Sequence, residues 1–308
     1  MPAAGTADAK VPQFSVVVAW QHAGQPLASC LASLRAQTGL PAGAIEVIVA
    51  SGLQGKADPG GYPQPDTGAC LVEADGGSLP ILHGLGIAAS RGRLVALTEA
   101  HCTFPPDWAT LAIAAHGRSD AAAIGGAVEP GASLRAPDWA LYFCDYGQFL
   151  PPLTAGPTRD LPGNNVVFRR DVLDRAPEAG RVGFWKTFYC LQLADEGHLL
   201  LADPSLVVSY HRRLSPAGIV RRRFVHGRCF GAMRARRSSR ARRVLFALAG
   251  PAVPWLMLAR LVRRAWPKRR FRRQLLGTMP LALLCLFVWA VGEWMGNLFG
   301  AGCSCSEL

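Results

Sequence analysis

Residues 14–50 read FSVVVAWQHAGQPLASCLASLRAQTGLPAGAIEVIVA. FSVVVA (14–19) is a continuous apolar, β-branched run, as a buried parallel strand requires. In the segment after it, Leu27, Leu31 and Leu34 recur at helical spacing, and Gly39 and Pro41 stop the helix. IEVIVA (45–50) is a second strand, which completes a βαβ unit of ordinary length. Working outward, 52–68 is rich in Gly and Pro and reads as a loop. ACLVEA (69–74) is a third strand, 79–90 a helix, and RLVALT (93–98) a fourth strand. This alternation predicts an α/β sheet with helices on both faces. Ligands of such sheets bind beyond the carboxyl ends of the strands, so the residues after Ala19, Ala50 and Thr98 should line one crevice. Neither G-x-G-x-x-G after the first strand nor G-x-x-x-x-G-K-[ST] anywhere is present, so both ordinary phosphate loops are missing. From 107 on, the pattern predicts a helix over 107–116 with Asp107 as cap. It then gives a strand, an aromatic helix around DWALYFCDYGQFLPP, a loop–strand–helix start at 161–173, an amphipathic helix over 184–197 and a closing strand SLVVSYH.

The chain has 308 residues, 50% hydrophobic and 18% charged, with mean hydropathy +0.18. That excludes a disordered protein and points to membrane contact. Residues 1–210 hold 13 Lys+Arg against 19 Asp+Glu, a net −6. Residues 211–308 hold 20 against 2, a net +18. An acidic body therefore carries a basic, apolar tail. Segment 212–243 has twelve Arg and no acid, and it leads directly into apolar stretches, so a membrane surface fits better than nucleic acid, which is not expected as a partner. The nine Cys include no C-x-x-C; they read as thiols of a reducing compartment rather than a zinc ribbon. The first apolar run is too short for a signal peptide, which places the body in the cytoplasm.

CLASLRAQ (30–37), AASRGRLVALTEAH (88–101) and LPGNNVVFRR (161–170), in that order and ending on LADPSLVVSYH, resemble the family 2 glycosyltransferases over roughly 13–212. The resemblance implies a GT-A (Rossmann-like) fold with a mixed sheet, a nucleotide-diphosphate sugar as donor and inversion at the anomeric carbon. It also implies a divalent cation, Mn2+ or Mg2+, held by carboxylates at the end of the fourth strand to stabilise the leaving group. The family's Asp-x-Asp position here reads Glu99-Ala100-His101. Alternation along an extended segment puts Glu99 and His101 on one side. His211 matches a family His that completes the metal or diphosphate site. Gly163, Asn164 and Asn165 match a loop near acceptor and donor sugar. Ala19, Ser51, Trp185 and Arg212 fall at donor-facing positions. The bland alternatives are that Glu99 caps a turn while His101 packs, and that the Asn pair makes an Asx turn.

Four positions depart from the pattern: Ala50-Ser51 where an Asp binds the base or ribose, Gly84 for an Asn, Gln192 for an Arg, and Lys186 where the catalytic base belongs. Inverting transfer needs a carboxylate to take the acceptor proton; Glu178 and Asp145 are the candidate substitutes, with Asp138 behind them. The expected organisation is a transferase domain over 1–212, an Arg-rich amphipathic linker over 213–243 and membrane-associated helices over 244–308. Pro251 and Pro254 interrupt 244–262 and basic segments flank it on both sides, so it is expected to be interfacial or re-entrant. Segment 275–300 is long enough to span a bilayer; the alternative is a helical hairpin packed on the catalytic domain. The linker should lie on anionic lipid headgroups; alternatively Arg212, Arg213 and Arg221–Arg223 reach back to the donor diphosphate. The expected function is transfer of a sugar to a lipid-linked or cell-envelope glycan acceptor at the cytoplasmic membrane, with the catalytic domain facing the cytoplasm. The alternative is a degenerate nucleotide-sugar-binding or scaffold protein.

Overall fold

Seven consecutive residues of β1 (Phe14–Trp20) are buried, and this central strand organises the sheet. The computed structural model describes residues 11–22, 24–53, 68–74, 77–176 and 183–307. After β1 come α1 (Leu27–Arg35), β2 (Ile45–Ser51), β3 (Ala69–Glu73), α2 (Leu79–Ala89), β4 (Leu94–Glu99), β5 (Cys102–Thr103), α3 (Trp108–Gly117) and β6 (Ala123–Pro130). Then follow α4 (Ala136–Tyr146), β7 (Gly156–Pro157), β8 (Val166–Arg169), α5 (Arg170–Leu173), α6 (Lys186–Asp195) and β9 (Leu200–Tyr210). The tail is α7 (Pro216–Arg236), α8 (Arg240–Ala249), α9 (Val253–Ala265) and α10 (Arg272–Phe299).

The strand order is β3-β2-β1-β4-β8-β6-β9-β5, with β7 also on β9. β1 to β4 are parallel neighbours, while β8 runs antiparallel to both β4 and β6. The sheet is thus mixed, as expected. Its two faces bury different sets of β1 side chains. Phe14, Val16, Val18 and Trp20 pack with Leu31, Trp108 and Tyr142 of α1, α3 and α4. Val17 packs on the other face with Ile87, Phe168 and Tyr189. The parallel register sets Ala19 of β1 beside Glu99 of β4. That is why the carboxyl ends of both strands open on one crevice.

In the tail, α10 packs on α7 and on α4 of the body, closer to the packed-hairpin alternative than to a linker lying free on a surface. α7 packs along α10 through glycines at G-x-x-x-G spacing on both helices: Gly227 and Gly231, Gly292 and Gly296. Gly227 lies over Trp289 and Gly231 over Glu293, so the helices run parallel. A Cβ on Gly231 would stand 2.1 Å from the Glu293 carbonyl oxygen, and one on Gly296 2.0 Å from that of Arg228. Only glycines let two backbones approach this closely. Arg234 bonds Glu293 at 2.5 Å, and a Cys229–Cys305 disulfide ties α7 to the turn after α10. That disulfide differs from the expectation of a reducing compartment, although Cys30, Cys144 and Cys190 are free thiols as expected. The two cysteines stand 76 residues apart, and no spacing rule pairs them.

Pro251 sits in a 3₁₀ turn, Gly250–Ala252, and Pro254 in the first turn of α9. Both are places where a missing N–H costs nothing. The prolines therefore break 244–262 into two helices. Arg240–Ala265 and Arg269–Phe299 are long and apolar enough to cross a membrane; 11% and 44% of their apolar windows are buried within the protein.

Candidate active site

Glu99 ends β4, and its carboxylate is buried at 2% exposure. Three side chains converge on it. Arg212 Nη1 donates to Oε2 at 3.2 Å. His101 Nε2 stands 3.8 Å from the same oxygen. The Tyr146 hydroxyl of α4 donates to Oε1 at 3.4 Å. Chain geometry explains the convergence. Glu99 and His101 alternate to one side, and His211 N–H bonds the His101 carbonyl at 2.8 Å. β9 therefore delivers His211 and Arg212 next to the end of β4.

Burial alone would push the Glu99 carboxyl up. The positive charge of His101 when protonated, and of Arg212 and Arg222, outweighs this and holds it at about 2. Burial is also the main reason that His101 is pulled down to about 3, with Arg212 and Arg222 acting the same way against Glu99. At neutral pH the ring is uncharged, so Glu99, Arg212 and Arg222 together carry a net single positive charge. His22, in the turn after β1, is lowered by burial and by the same two arginines.

Two cavities meet this cluster. The first is lined by Glu99, Asp145, Asp160, Gly163, Lys186 and Arg222, and closed by His226 of α7 and Trp289 of α10. The second, of about 590 Å3, is lined by His22, Gln25, His101, Thr103, His211 and Arg212. That volume lies within the usual range of small-molecule sites. Gln25 Nε2 and His101 Nδ1 are 3.1 Å apart, and Thr103 Oγ1 and His211 Nε2 2.9 Å apart.

The structure brings together Ala19, Glu99, His101, His211 and Arg212 at the cluster. Gly163, Trp185 and Asp145 lie on the first cavity. Asp145 is bonded at 2.5 Å by the buried Arg223. Asn164 is buried; its amide donates to Cys102 Sγ at 3.3 Å and its carbonyl oxygen has no partner. Asn165 is spent on structure, with its amide on the carbonyls of Ala127 and Leu206 and its oxygen accepting from Trp108 Nε1. Ser51 accepts from the Leu53 N–H at 3.2 Å, inside its own turn, and lines neither cavity. Glu178 lies outside the described residues. Asp138 is buried under Arg135 and the Leu214 N–H, away from both cavities.

Asp160 escaped the sequence reading. Lys186, where the resemblance leads one to expect the catalytic base, donates to Asp160 Oδ1 at 2.6 Å and to the Leu161 carbonyl. A carboxylate thus reaches that place from the loop ahead of Gly163, which no spacing within 184–187 signals. Arg222 is one of the three arginines, Arg221–Arg223, expected in the alternative reading to reach back to the donor diphosphate, and its place on the first cavity agrees with that alternative.

The cation that the family resemblance implies fits these residues poorly. Among the described residues no group of three His, Cys, Asp or Glu could hold a metal ion. The only carboxylate at the Asp-x-Asp position is already paired with Arg212. His211 turns its Nε2 to Thr103 rather than to Glu99.

No protein-family profile matches the chain, and no curated protein does. Solved structures do. A mannosyltransferase, PcManGT from Pyrobaculum calidifontis, in complex with GDP-Man and Mn2+, aligns with TM-score 0.56 at 18% identity over 97% of this chain and 91% of its own. GalNAc-T7 with UDP, GalNAc and Mn2+ aligns with TM-score 0.50 at 13% identity over 68% of this chain and 45% of its own. The fold of the body is that of GT-A-type glycosyltransferases.

Proposed function

We propose that the chain is a glycosyltransferase that moves a sugar from a nucleotide-diphosphate donor to a glycan or lipid-linked acceptor at a membrane. One observation carries the reading. The buried Glu99–Arg212 pair sits at the carboxyl end of β4 between two cavities, where sheets of this kind bind their ligands. The GDP-Man bound to one structural neighbour and the UDP and GalNAc bound to the other support this donor class.

The chemistry is a single displacement. The acceptor oxygen attacks the anomeric carbon, the bond from that carbon to the diphosphate breaks, and the diphosphate leaves with the electron pair. The configuration inverts, and a carboxylate takes the acceptor's proton. Asp160, held by Lys186 on the first cavity, is the proposed base; Asp145, on the same cavity, is the alternative. Arg212 and Arg222 take up the charge that develops on the leaving diphosphate. Trp185 offers an aromatic face on the same cavity.

The C-terminal helices hold this site at a membrane. Leu245 and Leu248 of α8, Trp255 and Leu256 of α9, and Leu284 and Val291 of α10 are exposed large apolar side chains beside basic ones. Such a surface suits an anionic bilayer. In this arrangement the body faces the cytoplasm, and α10, whose buried side packs on α4 and α7, is proposed to enter the bilayer by its exposed apolar side.

A second reading, a nucleotide-sugar-binding protein without turnover, is favoured by Lys186 at the base position and by the pairing of both Asp145 and Asp160 with cations. Release of nucleoside diphosphate from a panel of nucleotide sugars by the full chain in detergent, with a lipid extract as acceptor, separates the two. Release lost in Asp160→Asn supports transfer with this base, and loss in Asp145→Asn alone moves the base to Asp145. Binding without release supports the second reading.

A further inference from the structure

We propose that Arg212 and Arg222 hold the diphosphate of the nucleotide directly, in place of a divalent cation, so that this chain binds its donor without metal. The inference rests on the nucleotide-sugar reading and departs from the family resemblance only at the cation.

Three observations carry it. First, Arg212 is 3% exposed, yet only Nη1 has a partner; Nε and Nη2 have none, and Nε of Arg222 has none. A buried guanidinium has five N–H donors in a fixed fork, and leaving them unpaired is costly unless a ligand accepts them. Arg212 lines one cavity and Arg222 the other, so an anion lying across the cluster meets both. Second, the charge has the wrong sign for a cation. Two carboxylates, Glu99 and Asp145, face three guanidinium groups, Arg212, Arg222 and Arg223, which leaves a net positive cluster fit for phosphate oxygens. Third, the oxygen that would ligate a metal is occupied: Glu99 Oε2 accepts from Arg212. His101 Nε2 is buried without a hydrogen-bond partner beside it, free to donate to a phosphate oxygen in the tautomer that carries the proton there. Glu99 then serves to position Arg212 rather than to bind metal.

The test is direct binding of GDP and UDP to the full chain in detergent by calorimetry, once in EDTA and once in Mn2+. The proposal expects the same affinity in both. It also expects Arg222→Met to weaken binding in EDTA by about 10- to 100-fold, the worth of a charged hydrogen bond or two. Glu99→Gln gives the decisive sign. In a metal site it abolishes nucleotide binding, whereas here it frees Arg212 and should leave binding equal or tighter. Thermal melts of both variants establish that they fold. Should Glu99→Gln not fold, the EDTA comparison and Arg222→Met decide alone. Binding that appears only with Mn2+, or an Arg222→Met chain that binds as tightly as the wild type, overturns the proposal and leaves the nucleotide reading standing. No binding of either nucleotide under both conditions overturns the two together.

Discussion

Asp145→Leu should destabilise the protein strongly, because it strips a buried guanidinium of its counter-ion. Arg223 is 2% exposed, and its Nη1 bonds Asp145 Oδ1 at 2.5 Å. Its Nε has only the Cys285 carbonyl, at 3.4 Å, and its guanidinium stands 6.0 Å from the Trp289 ring. Neither replaces a counter-ion. Removing one partner of a buried pair leaves an uncompensated charge, at a cost of about 3–5 kcal/mol. At roughly 2–4 °C per kcal/mol for a domain of this general size, the melting midpoint should fall by about 6–20 °C. The double variant Asp145→Leu/Arg223→Met removes both charges and fills the space with apolar atoms. It should recover most of the loss, because a buried pair exchanged for apolar residues is often neutral. The assay is differential scanning calorimetry of the wild type, both singles and the double in the same detergent. If Asp145→Leu melts within about 1 °C of the wild type, far below the shift expected for a buried charge, the carboxylate is not what stabilises Arg223 and the reasoning fails. A double variant no more stable than the worse single would refute it equally.

Three further outcomes follow from the same structure. Gly296→Ala places a Cβ 2.0 Å from the Arg228 carbonyl oxygen and must part α7 from α10; it should cost about 1–3 kcal/mol. Gly277→Ala on the same helix meets nothing within 4 Å and should be neutral or stabilising by up to about 1 kcal/mol, both read from thermal melts. His101 titrates at about 3 when folded, against 6.5 unfolded. The unfolded chain therefore binds the extra proton first, and stability should fall as pH drops from 6.5 toward 3. Glu99 behaves in the same sense from 4.5 down to about 2; His101→Gln should flatten the upper part of that profile in denaturant titrations. Finally, Trp255→Asp with Leu256→Asp, two exposed side chains of α9, should release the protein from anionic liposomes in flotation, and unchanged flotation would remove α9 from the membrane surface.

The parallel half of the sheet was legible because FSVVVA, IEVIVA and RLVALT are uninterrupted apolar runs, and such runs have few fates other than a strand covered on both faces. β5 and β7, two residues each, have no pattern of their own; pairing with β9 makes them strands. Within the site, Glu99 and His101 were legible from their place at a strand end. Arg212 was marked by its position after the closing strand. Arg222 was marked only as one of Arg221–Arg223, since which of the three face the cavity depends on where α7 turns its side chains. Asp160 was invisible because its cavity position depends on Lys186, 26 residues on. Ser51 and Asn165 fell at the right positions in the chain, but local hydrogen bonds absorb their polar groups. In the tail, periodicity of Arg and apolar residues pointed to a helix on a membrane. The G-x-x-x-G spacing at 227–231 and 292–296 was the signal for what the structure shows, two helices packed backbone to backbone.

The central claim is that a sugar leaves a nucleotide diphosphate at the Glu99–Arg212 cluster. The most direct measurement is nucleoside diphosphate release from GDP- and UDP-sugars by the full chain with a lipid extract as acceptor, compared with Arg212→Met/Glu99→Gln, which removes both members of the buried pair while leaving the net charge of the site unchanged. The account predicts release by the wild type that depends on the acceptor, and none above background from the double variant. Equal release from both chains would place the chemistry elsewhere and contradict it.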